Sequence, residues 1–91
     1  MVYVGRLFNT APYKPGAWRW KNACHMLADS IEELHAMADK IGLKRSWFQP
    51  KSVPHYDLTE NMRRKAVKAG AQEIAMRQEG EMIRARRKSC L

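Results

Sequence analysis

The stretch from Ala23 to Leu43 constrains the fold more than any other part of the chain. An apolar run, Ala23-Cys24-His25-Met26-Leu27-Ala28, stops at Asp29, and Ser30-Ile31-Glu32-Glu33 follows at once. Ser-x-x-Glu is a capping box: the Ser30 hydroxyl accepts from the Glu33 amide while the Glu33 carboxylate reaches back. Ile31, Leu34, Ala38 and Ile41 then recur at helical spacing on one stripe. Gly42 can adopt the left-handed conformation that ends a helix, with Leu43 as its hydrophobic follower. The run before the box is too short for periodicity to decide its state. The helix start just beyond it favours a strand.

The remaining elements follow from this anchor. Val2-Tyr3-Val4 is β-branched and aromatic, and residues 2–7 are predicted as a strand. Pro12, Pro15 and Gly16 make the segment from Asn9 to Gly16 a loop. Ser46-Trp47-Phe48-Gln49 is predicted as a short strand, and Pro50 to Pro54 as a second loop that closes on His55-Tyr56-Asp57. Thr59 is a suitable N-cap for a second helix, with Met62, Ala66 and Ala69 on one face and Arg63, Arg64, Lys65 and Lys68 mostly outward. Gly70 stops it. Ala71–Ala75 can form a last strand with Ile74 inward, and residues 78–88 a basic helix anchored by Met82 and Ile83 but weakened by Gly80. Strands that alternate with helices predict an α/β fold in the order β-β-α-β-α-β-α. It would be a small single domain over residues 1–91 with a mainly parallel, three- to four-stranded sheet flanked by helices. Ligands on such sheets bind beyond the C-terminal ends of strands. Asp29, the residues after the first strand and His55-Tyr56-Asp57 are therefore expected to collect at one edge.

Composition narrows the class. The chain has 91 residues and a formal charge of +8. That length excludes a second core of useful size, and no apolar run approaches a membrane span. Two distant cysteines, Cys24 and Cys90, make neither a disulfide framework nor a zinc-finger spacing. A reducing cytoplasm is the expected setting. The charge is uneven: residues 1–58 carry eight basic and five acidic side chains, and residues 59–91 carry nine and four. The densest cluster is the tail at residues 84–91, with Arg84, Arg86, Arg87 and Lys88.

Polar groups and flat rings are densest between residues 45 and 57. Arg45 and Lys51 could hold phosphates, Trp47 or Tyr56 could stack on a ring, and Gln49 and Asp57 could read polar edges. Phe48 is expected in the core. Asp29 is either a helix cap or a site residue, and His35 is expected as a satisfied, half-buried histidine. His25 and Asp29 on a strand share a face but stand ~13 Å apart at about 3.3 Å per residue. Three histidines and nearby aspartates are suitable metal chemistry, but no pair has a diagnostic spacing, and no metal or cofactor is expected. Catalysis would draw on His25, Asp29, His55 and Asp57 as general acid or base. The sequence offers neither a nucleophile elbow nor a phosphate-cradling glycine loop.

Several segments in combination carry a family resemblance. They are Cys24 to Asp29, Glu33 to Ala38, Ile41-Gly42, Arg45, Trp47-Phe48-Gln49, Pro54 to Leu58 and Ala69-Gly70-Ala71. The chain resembles, over roughly residues 1–88, the small bacterial and phage domains of unknown function called DUF4031. The resemblance carries no activity. It implies that His25, Asp29, His35 and His55-Tyr56-Asp57 match the family pattern, and it implies a phage or prophage setting, which would place the protein in the host cytoplasm. Family members usually follow Val-Tyr-Val with an Asp, where this chain has Gly5. If that acid belongs to a catalytic or metal site, its loss favours binding over turnover.

Three functions follow as expectations. The first is a binding domain for a nucleotide or other phosphate-bearing small molecule, which in a phage setting would be a host nucleotide. The second is nucleic-acid binding through Arg84, Arg86, Arg87 and Lys88, with steep salt dependence. The third is a His/Asp-dependent hydrolase or phosphodiesterase. No membrane partner is expected, and a homo-oligomer joined through Trp18 and Trp20 is possible. Within the first reading, neutralising Arg45 or Lys51 should matter more than neutralising two tail arginines.

Overall fold

The computed structural model describes residues 1–9, 22–50 and 53–89, with residues 86–89 as backbone alone. The predicted loop at Pro12–Gly16, Trp18 and Trp20, Lys51, Cys90 and the side chains of Arg86, Arg87 and Lys88 lie outside the described residues. The elements run β1 (Val2–Val4), β2 (Phe8–Asn9), β3 (Asn22–Ala28), α1 (Ile31–Ile41), a 3-10 turn (Arg45–Trp47), β4 (Tyr56–Leu58), α2 (Glu60–Lys68), β5 (Gln72–Glu73) and α3 (Met76–Ser89).

The domain is α/β, as expected, but among the described residues its sheet has five strands rather than three or four, three of them before α1, and it is mixed rather than mainly parallel. β3 is the hub. β1 pairs antiparallel with its second half, from Val2↔Ala28 to Val4↔Met26. β4 pairs antiparallel along the opposite edge, from Cys24↔Leu58 to Met26↔Tyr56. β5 joins β1 in parallel through Tyr3↔Gln72 and Val4↔Glu73. The cause is the stretch between α1 and β4. Trp47 N–H donates to Lys44 O and Phe48 N–H to Arg45 O, both at 3.0 Å, so the predicted strand at 46–49 is a tight turn. Gln49 and His55 then exchange backbone hydrogen bonds of 2.9 and 3.0 Å. This reversal sends the chain into β4 antiparallel to β3. Among the described connections through a helix, β4-α2-β5 joins strands of the same direction, which is the expected crossover on a smaller scale.

The strand predicted over residues 2–7 is interrupted. β2 also pairs antiparallel with β3, through Phe8↔Ala23 and Asn9↔Asn22, but its register has slipped by one residue relative to β1. An extra residue between Gly5 and Leu7 makes a bulge-like break. Arg63, expected to face outward, reaches this break: its Nε donates to Gly5 O and its Nη1 to Glu73 Oε1, each at 2.8 Å. One side chain of α2 thereby ties the break to β5.

Alternation along the strands separates two faces. Val2, Val4, Cys24, Met26, Ala28, Tyr56 and Leu58 join Leu34, Met37, Ala38 and Ile41 of α1 and Ala66 of α2 in one core. Each large side chain buried there contributes roughly 1.5–3 kcal/mol. The α1 cap forms as the sequence predicts: Ser30 Oγ accepts from Glu33 N–H at 3.1 Å, and Gly42 takes a φ of +85°. The buried stripe is rotated, however. Met37 replaces Ile31, which is 48% exposed. The second face carries Tyr3, His25, Leu27 and Asp57, and α3 lies over part of it.

Candidate functional site

His25 and Asp57 stand directly opposite each other on β3 and β4. Side chains of such a pair project from the same face. His55 precedes Asp57 by two residues and joins that face by the same alternation. Ligand atoms of His25, His55 and Asp57 all lie within 4.8 Å of one another. Asp57 Oδ1 is 3.6 Å from His25 Nε2 and 3.7 Å from His55 Nε2. The imidazole rings meet edge-on with centroids 5.0 Å apart, and Phe8 leans against His25 at 5.2 Å. The Asp57 side chain is only 4% exposed, whereas both histidines are partly open to solvent.

The outer nitrogens of the imidazoles fix their orientation. His25 Nδ1 lies 3.0 Å from Glu79 Oε1, and His55 Nδ1 lies 2.7 Å from Val53 O. A carboxylate and a carbonyl can only accept, so each Nδ1–H donates. Each ring then turns its Nε2 atom toward Asp57. Gln49 Nε2 donates to Asp57 Oδ2 at 2.6 Å and sets the plane of the carboxylate. Two imidazole nitrogens and a carboxylate oxygen therefore converge on one point. Such an arrangement favours a positive charge at its centre, whether a proton or a metal ion.

Glu79 arrives from α3, and Gly5 admits it. A Cβ at Gly5 would sit 2.7 Å from the Glu79 carboxylate carbon and both its oxygens. The Glu79 carboxylate thus fills the space over Gly5, and the site has a carboxylate beside His25. Sequence reasoning missed Glu79. A glycine within a strand pattern signals close approach of another group, but nothing local identifies which group comes.

The other expected site residues are dispersed. Asp29 follows β3, at the end of the sheet where β4 begins, but it stays out of the cluster: Tyr3 Oη donates to both its oxygens at 3.2 Å, and the amino group of Met1 lies 3.2 Å from its Oδ2. The residues after β1 lie beside His25, whose carbonyl accepts from Gly5 N–H at 3.0 Å. Tyr56 cannot stack on a ligand, because it is fully buried and shares a 2.8 Å hydrogen bond with His35 Nδ1. Burial pushes its hydroxyl pKa upward. His35 is the satisfied, half-buried histidine the sequence suggests, lying edge-on to Phe48 at 4.7 Å. Cys24 is fully buried in the core, and burial pushes its thiol up to about 12. Arg45 turns to Asp39, 3.4 Å away. Trp47 is 48% exposed, with Lys44 Nζ 5.7 Å from its ring.

Beside the His/His/Asp cluster runs a groove of about 780 Å³ between the 3-10 turn and α2. Trp47 and Phe48 line one part, Arg64, Lys65 and Lys68 another, and Gln49 and Asp57 connect it to the cluster. The chain is thus a small α/β domain with a His/His/Asp cluster on one sheet face and a cationic groove next to it. Residues 12–86 match the model of a protein family of unknown function, DUF4031, and the chain belongs to that family. No curated protein and no solved structure matches it.

Proposed function

We propose that the domain binds a nucleotide or similar phosphate-bearing ligand with a flat ring, in the groove between the 3-10 turn and α2. One observation carries this reading: the half-exposed ring of Trp47 shares a groove with Arg64, Lys65 and Lys68. A flat ring can stack on an indole, and cations that face little opposing charge attract phosphate. Among the described lining residues, three are cationic and one, Asp57, is acidic. This moves the phosphate contacts from Arg45, whose guanidinium faces Asp39, to α2.

The test is thermal shift with a panel of mono-, di- and cyclic nucleotides, followed by titration of the best ligand. Trp47→Ala and the double variant Lys65→Ala/Lys68→Ala should each weaken binding at least tenfold. Arg45→Ala should change it less than threefold. The reading fails if no nucleotide shifts the melting temperature, or if both groove variants bind as the wild type does. A single strand of nucleic acid is the second reading, since successive bases stack and phosphates track a cationic groove in the same way. It takes first place if a short oligonucleotide binds more than tenfold tighter than any mononucleotide and loses affinity steeply with salt.

A further inference from the structure

We infer that His25, His55 and Asp57 form a binding site for one divalent transition-metal ion of the zinc or iron type. The inference goes beyond the groove reading and does not depend on it. It rests on the geometry of the three side chains and on the partners of their outer atoms. Neighbouring ligands around a tetrahedral ion, each ~2.1 Å from it, stand about 3.4 Å apart. The two Nε2–Oδ1 separations are 3.6 and 3.7 Å, and all three ligand atoms lie within 4.8 Å. A shift of side chains by less than their rotamer freedom closes that set around an ion. Hydrogen bonds or ordinary van der Waals packing alone would not require both histidines to present the same nitrogen to one carboxylate oxygen.

The outer partners match what metal-ligating histidines use. In such sites the second imidazole nitrogen donates to a carboxylate or a backbone carbonyl, which fixes the tautomer and raises the basicity of the ligand. Here Glu79 Oε1 takes that role for His25 and Val53 O for His55. Gln49 does the equivalent for the carboxylate by holding Asp57 Oδ2. Two imidazoles among three ligands select zinc or iron over magnesium or calcium, which prefer all-oxygen sets. The solvent-facing side of both histidines leaves a coordination position for water or for an oxygen of a ligand. Gly5 belongs to the site indirectly, because it provides the space in which the Glu79 carboxylate reaches His25. An ion with an open position, held by an Asp57 that also lines the groove, is what the hydrolase alternative would need.

The experiment uses the full, tag-free chain stripped with EDTA and titrated with Zn²⁺ and with Co²⁺, whose visible spectrum reports its ligand geometry. One ion per chain is expected, and the melting temperature should rise by roughly 10 °C or more at a hundredfold excess over Kd. Asp57→Asn keeps the size of the side chain, and it and His55→Ala should each weaken binding at least a hundredfold. Glu79→Gln is a positioning variant. It should weaken Zn²⁺ binding about tenfold to a hundredfold and change the Co²⁺ spectrum, while the apo protein stays folded. His35→Ala, on the opposite face, should bind within threefold of wild type. The inference is overturned if the folded wild type shows no saturable binding of Zn²⁺, Co²⁺, Mn²⁺ or Fe²⁺, if Mg²⁺ or Ca²⁺ binds more tightly than Zn²⁺, or if Asp57→Asn and His55→Ala retain wild-type affinity. Metal binding without any nucleotide shift would sink the groove reading and leave this one standing.

Discussion

Two adjacent rungs of one ladder hold opposite kinds of chemistry. Met26↔Tyr56 and His25↔Asp57 are neighbouring pairs between β3 and β4. The first rung faces α1 and α2 with both side chains fully buried. The second faces the other way and brings together imidazole and carboxylate. The backbone treats the rungs alike, and the strand's alternation alone decides which becomes core and which becomes site. A short strand can therefore serve stability with one residue and chemistry with the next, provided that its register is secure. The comparison predicts an asymmetry. Met26→Ala should lower stability by about 2–5 kcal/mol, through lost burial and a cavity. His25→Ala, measured with metal absent, should lower it by no more than about 1 kcal/mol. Urea unfolding followed by circular dichroism measures both. Equal losses would break the comparison and make the polar rung structural.

A smaller effect tests how α3 is tied to the polar rung. In Gly5→Ala the new Cβ would meet the Glu79 carboxylate at 2.7 Å, so that side chain must move and give up its bond to His25. The expected loss is about 0.5–1 kcal/mol, the lower part of the net range for a hydrogen bond. The same substitution in a Glu79→Ala background should be nearly neutral, because nothing remains to displace. A double-mutant cycle gives the coupling directly. Additive losses would show that Gly5 serves the strand break rather than Glu79.

These tests bear on features of unequal legibility in the sequence. The α1 cap, Gly42, Thr59 and the strand at 23–28 are written in local residue patterns, and each forms where its pattern places it. Strand direction is not local. Parallel pairing was expected from the alternation of strands and helices, but the reversal closed by Gln49 and His55 depends on a backbone pairing across a five-residue loop. Trp47 and Phe48 have high strand propensity, yet one ends in solvent and the other against the core, so tertiary packing overrides propensity. The site shows the same division. His25, His55, Asp57 and Gln49 were each singled out as polar groups among aromatic or apolar neighbours. Their convergence was hidden, because a separation of 30 residues between His25 and His55 contains no metal-ligand spacing. Asp29 has the same chemistry and lies at the end of β3 beside the start of β4, but Tyr3 and the Met1 amino group engage it, which no local pattern announces. Glu79 was invisible: it lies in a helix recognisable only as basic and amphipathic, and its partner is 54 residues away.

The smallest expected stability change is the sharpest test of the polar rung. A buried carboxylate usually owes its place to a cationic or donating partner, and its loss then destabilises the fold. Around Asp57 the outer nitrogens are already engaged: both Nδ1 atoms lie against acceptors, Glu79 and Val53, and a neutral ring so held turns its Nε2 lone pair toward Oδ1. Asp57→Asn would keep an oxygen to accept from Gln49 Nε2, now 2.6 Å from Oδ2. Its amide N–H could donate to an imidazole lone pair, an interaction the carboxylate cannot make. In EDTA-treated protein the substitution should therefore be neutral or stabilising by up to about 1 kcal/mol, one net hydrogen bond. With Zn²⁺ added, the order should reverse, because only the wild type gains the stability of a bound ion. Paired urea titrations with and without Zn²⁺ read out both signs. A loss above about 2 kcal/mol without metal would mean that the histidines already meet the carboxylate as charged donors. The polar rung would then be a buried ion pair that belongs to the fold as firmly as Met26 and Tyr56 do.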